Sequence, residues 1–160
     1  MGQIMRILLV EDDEDKLKDI VSFLESEISG VEIAIARSHG SGLRKIIFEA
    51  DVNDLIILDM TMPSFDISAQ EPTGGVPENY AGEDLLAQMR LRMVDTPTIV
   101  VTMFDEFGEK PNKVPLNELT KRLRENYSPP FVDLVYYSSR QEGWRVSLRE
   151  SIKKATNLKL

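Results

Sequence analysis

The chain contains no cysteine, which excludes disulfides, thiolate metal sites and a cysteine nucleophile. Histidine is nearly absent too. The one residue, His39, lies in Ser38-His39-Gly40, far in sequence from the acidic clusters, and reads as a surface-loop residue rather than a phosphodonor. Basic residues are outnumbered, 19 Lys and Arg against 27 Asp and Glu for a net charge of −8, which argues against direct binding to a nucleic-acid backbone. No apolar run reaches membrane-spanning length and no charged-then-apolar leader opens the chain, so a soluble cytoplasmic protein without a membrane partner is expected. Gly74-Gly75 is not followed by Gly-Lys-Ser/Thr, so it is no phosphate-binding loop. At 160 residues the chain is long enough for one real core and too short for two comfortable ones. One domain over 1–160, without an output domain, is the expectation.

What is present centres on Leu55-Ile56-Ile57-Leu58-Asp59-Met60-Thr61-Met62-Pro63. Four successive apolar residues read as a strand buried on both faces, as in a parallel sheet, and the run discharges into one carboxylate. Asp59 then stands at the strand's carboxyl end, where open α/β sheets bind ligands, although a loop-capping Asp would fit the same segment. Ile7-Leu8-Leu9-Val10 repeats the grammar and leads into Glu11-Asp12-Asp13-Glu14-Asp15. Adjacent parallel strands would bring these acids beside Asp59, and crowded carboxylates call for a cation or a retained proton. Hard oxygen ligands of this kind suit Mg²⁺. Asp13 to Asp15 fit the start of a helix, where acids meet the positive end of the dipole, which leaves Glu11 and Asp12 as the metal candidates.

In order, the chain alternates strand and helix five times. Met5 to Val10 is a strand, and about Glu14 to Ser29 is a helix with Leu17, Ile20, Val21, Leu24 and Ile28 on one face, ended by Gly30. Val31 to Ala36 and Ser41 to Ala50 form the next strand and helix. From Ser64 to Ala81 the pattern fails in a long Pro-, Gly- and Ser-rich loop, expected to be mobile and to shape a partner surface. A helix over about Gly82 to Met93 leads to the strand Thr98-Ile99-Val100-Val101-Thr102, where Thr102 holds the position that Asp59 holds in its own strand. The segment Met103 to Val114 is acidic, with Gly108 and Pro111, and precedes a helix from about Leu116 to Asn126. Phe131 to Tyr137 is the fifth strand, and the last helix begins near Gly143-Trp144. The alternation predicts a doubly wound five-stranded parallel sheet with helices on both faces.

Three segments, Ile7-Leu8-Leu9-Val10-Glu11-Asp12-Asp13, Leu58-Asp59-Met60-Thr61-Met62-Pro63 and Pro97-Thr98-Ile99-Val100-Val101-Thr102, resemble in order and spacing the receiver domain of two-component response regulators. The resemblance covers about Arg6 to Ala155. It implies a flavodoxin-like fold and a stand-alone receiver in phosphorelay signalling, in which Asp59 accepts a phosphoryl group from a histidine kinase or a histidine phosphotransfer protein. It further implies Mg²⁺ held by Glu11, Asp12, Asp59 and the backbone carbonyl of Thr61, phosphoryl contact by Thr102, and a downstream protein target. Such a protein is a phosphoprotein signalling by contact rather than an enzyme. The chemistry is independently reasonable, because a carboxylate is a competent phosphoryl acceptor and the transfer needs in-line positioning and charge neutralisation.

The sequence departs from the family at the end of the fifth strand. Receivers usually carry a lysine there, followed by proline; this chain reads Leu134-Val135-Tyr136-Tyr137-Ser138-Ser139-Arg140-Gln141, with the lysine's place falling within Tyr137 to Ser139. A charge-assisted contact is then expected to be missing unless Arg140 folds back. That absence supports the alternative reading, a pseudo-receiver acting as a protein-binding or scaffold module without phosphorylation switching. A phosphohydrolase of the haloacid dehalogenase kind would need a second Asp two residues after the nucleophile, and Thr61 stands there. Tyr136 or Tyr137 fits either a rotamer that reports phosphorylation or simple strand packing.

Overall fold

The computed structural model describes residues 4–70, 72–75, 80–108 and 113–160. Its main sheet contains β1 (Arg6–Val10), β2 (Glu32–Ala36), β3 (Leu55–Leu58), β4 (Thr98–Thr102) and β7 (Phe131–Tyr136), in the order β2-β1-β3-β4-β7 with every pairing parallel. The helices are α1 (Glu14–Glu27), α2 (His39–Phe48), α3 (Ala81–Leu91), α4 (Leu116–Tyr127) and α5 (Gly143–Thr156). This is the expected flavodoxin-like architecture. Strand β3 shows why it forms: Leu55 and Ile57 face a core shared with α1 and α5, while Ile56 and Leu58 face a second core shared with α2, α3 and α4. A strand buried on both faces carries no polar alternation, hence its unbroken apolar run.

The order in which strands are added reverses at β1, whose neighbours are β2 on one side and β3 on the other, and the crevice beyond such a switch is where α/β sheets place ligands. Val10 pairs with Leu58, and the Asp59 amide donates to the Val10 carbonyl at 3.2 Å, so Glu11 and Asp59 leave the sheet side by side. Helix α3 approaches the end of β3 closely at Gly82, whose amide donates to the Met60 carbonyl at 3.0 Å. A Cβ at Gly82 would lie 2.5 Å from the Asp59 carbonyl oxygen, so any side chain there would push α3 off the site.

Two local expectations change, those for His39 and for the segment after β4. His39 is not a loop residue: Ser38 caps α2, accepting from the Ser41 amide at 3.1 Å, and His39 takes the first helical position with Nε2 2.6 Å from Asp84 of α3. The segment after β4 contains a small antiparallel hairpin, β5 (Glu106–Phe107) with β6 (Val114–Pro115), too short for any hydrophobic period to mark it. The described part of the loop after β3 has no helix but is tied to α2: the Gly40 amide donates to the Ser64 carbonyl at 2.9 Å and Ser41 Oγ to Asp66 at 2.7 Å. Residues 71, 76–79 and 109–112, parts of the two long loops, lie outside the described residues. Among the described residues no helix is long and apolar enough to cross a membrane.

Candidate functional site

Asp13 starts the site by ending the approach to it. Its side chain accepts from the Lys16 amide at 3.0 Å, an N-cap that turns the chain from β1 into α1, with Glu14 and Asp15 following in the first turn. The cap leaves Glu11 and Asp12 at the strand exit, as expected. Glu11 is buried, Asp12 is exposed at the rim and Asp59 is buried; one carboxylate oxygen of each lies within 4.8 Å of the other two. Thr61 lines the same cleft, about 370 Å³ in volume, together with Met62, Ile67, Met103 and Phe104. Thr102, fully buried at the end of the neighbouring strand, accepts from the Phe104 amide at 3.3 Å. All five residues marked in the sequence thus converge on one end of the sheet.

A sixth residue, which the sequence reading missed, lies at the centre. Lys16 of α1 is 1% exposed, and its Nζ is 3.1 Å from Asp59 Oδ2 and 3.1 Å from Glu11 Oε1. It donates to the Val101 carbonyl at 2.6 Å and to Glu11 Oε2 at 3.3 Å. The expectation that no positive side chain meets the acidic cluster is therefore corrected: the ammonium arrives from the first helix instead of the last strand. Arg140 is exposed and does not supply it. Lys16 sits in the apolar stripe of α1 with Ile20, Phe23 and Leu24, at spacings of four, seven and eight. A lysine in such a stripe is the signal that could have found it, because an unpaired ammonium is almost never buried.

At the end of β7, Tyr137 shares with Val135 the face turned to α1 and α5. Its hydroxyl donates to Asp19 of α1 at 2.5 Å, and its ring packs on Trp144. The position where a strand-borne lysine was sought thus serves the α1 interface, while Tyr136 on the opposite face is 47% exposed.

Burial, reinforced by repulsion from Asp59, pushes the Glu11 carboxyl up to about 9 against the pull of Lys16. Partial desolvation also raises Asp12, with added repulsion from Asp59 and Asp13. Glu11 Oε1 is buried and has no hydrogen bond, since Lys16 approaches it without the required geometry. An orphaned, buried carboxylate oxygen beside two further acids is a donor set that fits Mg²⁺, which binds hard oxygens.

No family model matches the chain. Among curated proteins it is 29% identical over 154 residues to the Detocs response regulatory protein DtcB of Enterobacter cloacae, covering 96% of this chain and 100% of that protein. It is 32% identical over 149 residues to an uncharacterized protein, y4jR, of Sinorhizobium fredii, covering 92% of this chain and 96% of that protein. A response regulator receiver domain from Clostridium thermocellum superposes with a TM-score of 0.65 at 19% identity, over 96% of this chain and 95% of that one. The chain has the fold of response-regulator receivers and is similar over its length to a response regulatory protein. Two further receivers match at similar depth. One, from a sensor histidine kinase of Pseudomonas aeruginosa PAO1, has a magnesium ion coordinated in its active-site cleft (TM-score 0.59, 17% identity, 98% and 100% coverage). The other is CheY6 of R. sphaeroides in complex with the P1 domain of CheA3 (TM-score 0.63, 17% identity, 98% and 100% coverage). The acidic pair, Asp59 and Thr102 stand at the carboxyl ends of β1, β3 and β4, and no lysine stands at the end of β7.

Proposed function

We propose that this receiver accepts a phosphoryl group on Asp59 from the phosphohistidine of a histidine kinase or histidine phosphotransfer protein and relays the change to a downstream protein in the cytoplasm. The observation that carries the reading is the convergence of Glu11, Asp12 and Asp59 at the switch point of the sheet. Glu11, Asp12, Asp59 and the Thr61 carbonyl would hold Mg²⁺, which when bound neutralises charge on the transferred group. A carboxylate oxygen of Asp59 forms the new bond to phosphorus as the phosphorus–nitrogen bond breaks; the electron pair returns to the donor imidazole, which takes up a proton. The Met60 amide, donating to Asp59 Oδ1 at 2.7 Å, fixes the carboxylate's orientation, and the Thr102 hydroxyl, at the end of the adjacent strand, would donate to a phosphoryl oxygen. The protein consumes one phosphoryl group per switching event and is in that sense no turnover enzyme. The magnesium-bearing receiver and the receiver in complex with CheA3 support both the metal and the class of partner.

A pseudo-receiver is the second reading, favoured by one observation: Lys16 between Glu11 and Asp59 already compensates the buried charge without a metal. Incubation with acetyl phosphate and Mg²⁺, followed by intact-mass measurement, separates the two. A gain of one phosphoryl group on wild type and none on Asp59→Asn is expected; no gain on wild type overturns phosphoacceptance and leaves the scaffold.

A further inference from the structure

Burying an ammonium costs several kcal/mol unless its protons are all taken up. Lys16 is compensated by two hydrogen bonds, to Glu11 and to the Val101 carbonyl, and by an ion pair with Asp59, and each partner comes from a different strand: Glu11 after β1, Asp59 after β3 and Val101 within β4. The Val101 contact, at 2.6 Å, tethers the ammonium next to Thr102, the adjacent residue in the strand. The Asp59 contact places Nζ 3.1 Å from Oδ2, so a phosphoryl group esterified at that carboxylate would bring its own oxygens within reach of the same ammonium. Helix α1 is held in register by the Asp13 cap and by the Tyr137–Asp19 bond, so the lysine is aimed by packing rather than by a mobile loop.

We propose that Lys16, supplied by the first helix, is the residue that contacts and neutralises the phosphoryl group on Asp59, in place of a lysine at the end of the last strand. In the resting protein it acts as an internal cation shared by Glu11 and Asp59. On phosphorylation it exchanges the Glu11 oxygen for a phosphoryl oxygen while keeping Val101, and both oxygens of Glu11 become available to the metal. The inference rests on phosphoacceptance at Asp59. A purely structural Lys16 would also sit between two acids, so the test must read the phosphoryl group itself.

The experiment uses the full chain with acetyl phosphate and saturating Mg²⁺, and follows the rate of phosphorylation by intact mass in protein whose fold is verified by Trp144 fluorescence. Lys16→Met, close in volume and uncharged, should slow phosphorylation by about tenfold to a hundredfold, the rate equivalent of one charge-assisted bond, and Lys16→Arg should recover part of it. A folded Lys16→Met that is phosphorylated as fast as wild type overturns the proposal. Phosphorylation absent from wild type as well sinks instead the reading on which it rests. Lys16→Met leaves two buried acids uncompensated, which works against its folding, so a second measurement needs no variant. In wild type labelled with ¹⁵N at lysine Nζ and frozen after phosphorylation, a ¹⁵N–³¹P dipolar coupling to Lys16 should show hydrogen-bond contact. Its absence in phosphorylated protein also overturns the proposal.

Discussion

The two sides of the sheet serve the site differently. On one side α1 and α5 are locked together by Phe23, Trp144 and Tyr137, with ring centroids 5.6 Å apart for Phe23–Trp144 and 5.2 Å for Tyr137–Trp144. Arg149 of α5 adds a two-point ion pair to Glu27 of α1, at 2.6 and 3.1 Å. This side delivers Lys16. On the other side α2, α3 and α4 pack through Leu, Ile and Met, and the contributions to the cleft come from loops, including the exposed apolar side chains of Ile67 and Phe104. The difference has a physical reason. A buried charge cluster fails if its cation shifts by an ångström, so the cation comes from a helix fixed by aromatic packing, whereas the exposed apolar atoms around the cleft are carried by loops.

The largest test truncates one residue on each side. Trp144→Ala should cost about 3–5 kcal/mol and Leu123→Ala about 2–5 kcal/mol in urea unfolding. The two should part company at the site: in folded protein, Trp144→Ala should alter the Mg²⁺-dependent NMR response around Asp59, and Leu123→Ala should leave it alone. Equal effects on the site would remove the distinction between the two sides.

A smaller change isolates the tie between α1 and the last strand. Tyr137→Phe deletes the hydrogen bond to Asp19 and should cost about 1.5 kcal/mol, the low end for a bond to a charged acceptor. Burial and the Asp19 bond raise the Tyr137 phenol well above its ordinary value of 10.0. For a group raised in the folded state, the stabilisation is full below the unfolded value and is lost as pH rises through the folded one. The stability difference between wild type and Tyr137→Phe should therefore be constant below pH 10 and shrink above it, as read by urea unfolding across the alkaline range.

The smallest effect concerns Asp133, which bridges the two sides at the sheet edge. One oxygen meets Arg124 of α4 at 3.2 Å, and the other meets Ser151 at 3.1 Å and Lys154 at 3.2 Å, both from α5. Burial works to raise this carboxyl, but the bonds from Lys154, the Leu134 amide and Ser151 outweigh it and hold it below its ordinary value. Its contribution is then present above pH 3.8 and lost as pH falls through the folded value. Asp133→Asn should cost about 1 kcal/mol or less at neutral pH, because both cations are largely exposed, and should flatten the acid limb of the stability profile.

Much of this molecule was determined by the sequence alone. Apolar runs of four and five residues can be buried only as strands flanked on both faces, and their order with the intervening amphipathic helices leaves the doubly wound sheet as the solution. The ends of those runs then place Glu11, Asp12, Asp59 and Thr102 together, because parallel strands share a carboxyl end. Only the tertiary structure decided which cation meets them. Lys16 precedes Asp59 by more than forty positions and lies on a different kind of element, and nothing in the local pattern sets the rotation of α1 against the sheet. That rotation comes from long-range contacts, Tyr137 with Asp19 and Phe23 with Trp144, between segments more than a hundred residues apart. The hairpin after β4 escaped for a related reason, since two residues per strand carry no period and the pairing is decided by where the flanking elements leave the chain. Local chemistry fixes which residues must be buried; the partner of a buried charge is chosen by the packing of the whole domain.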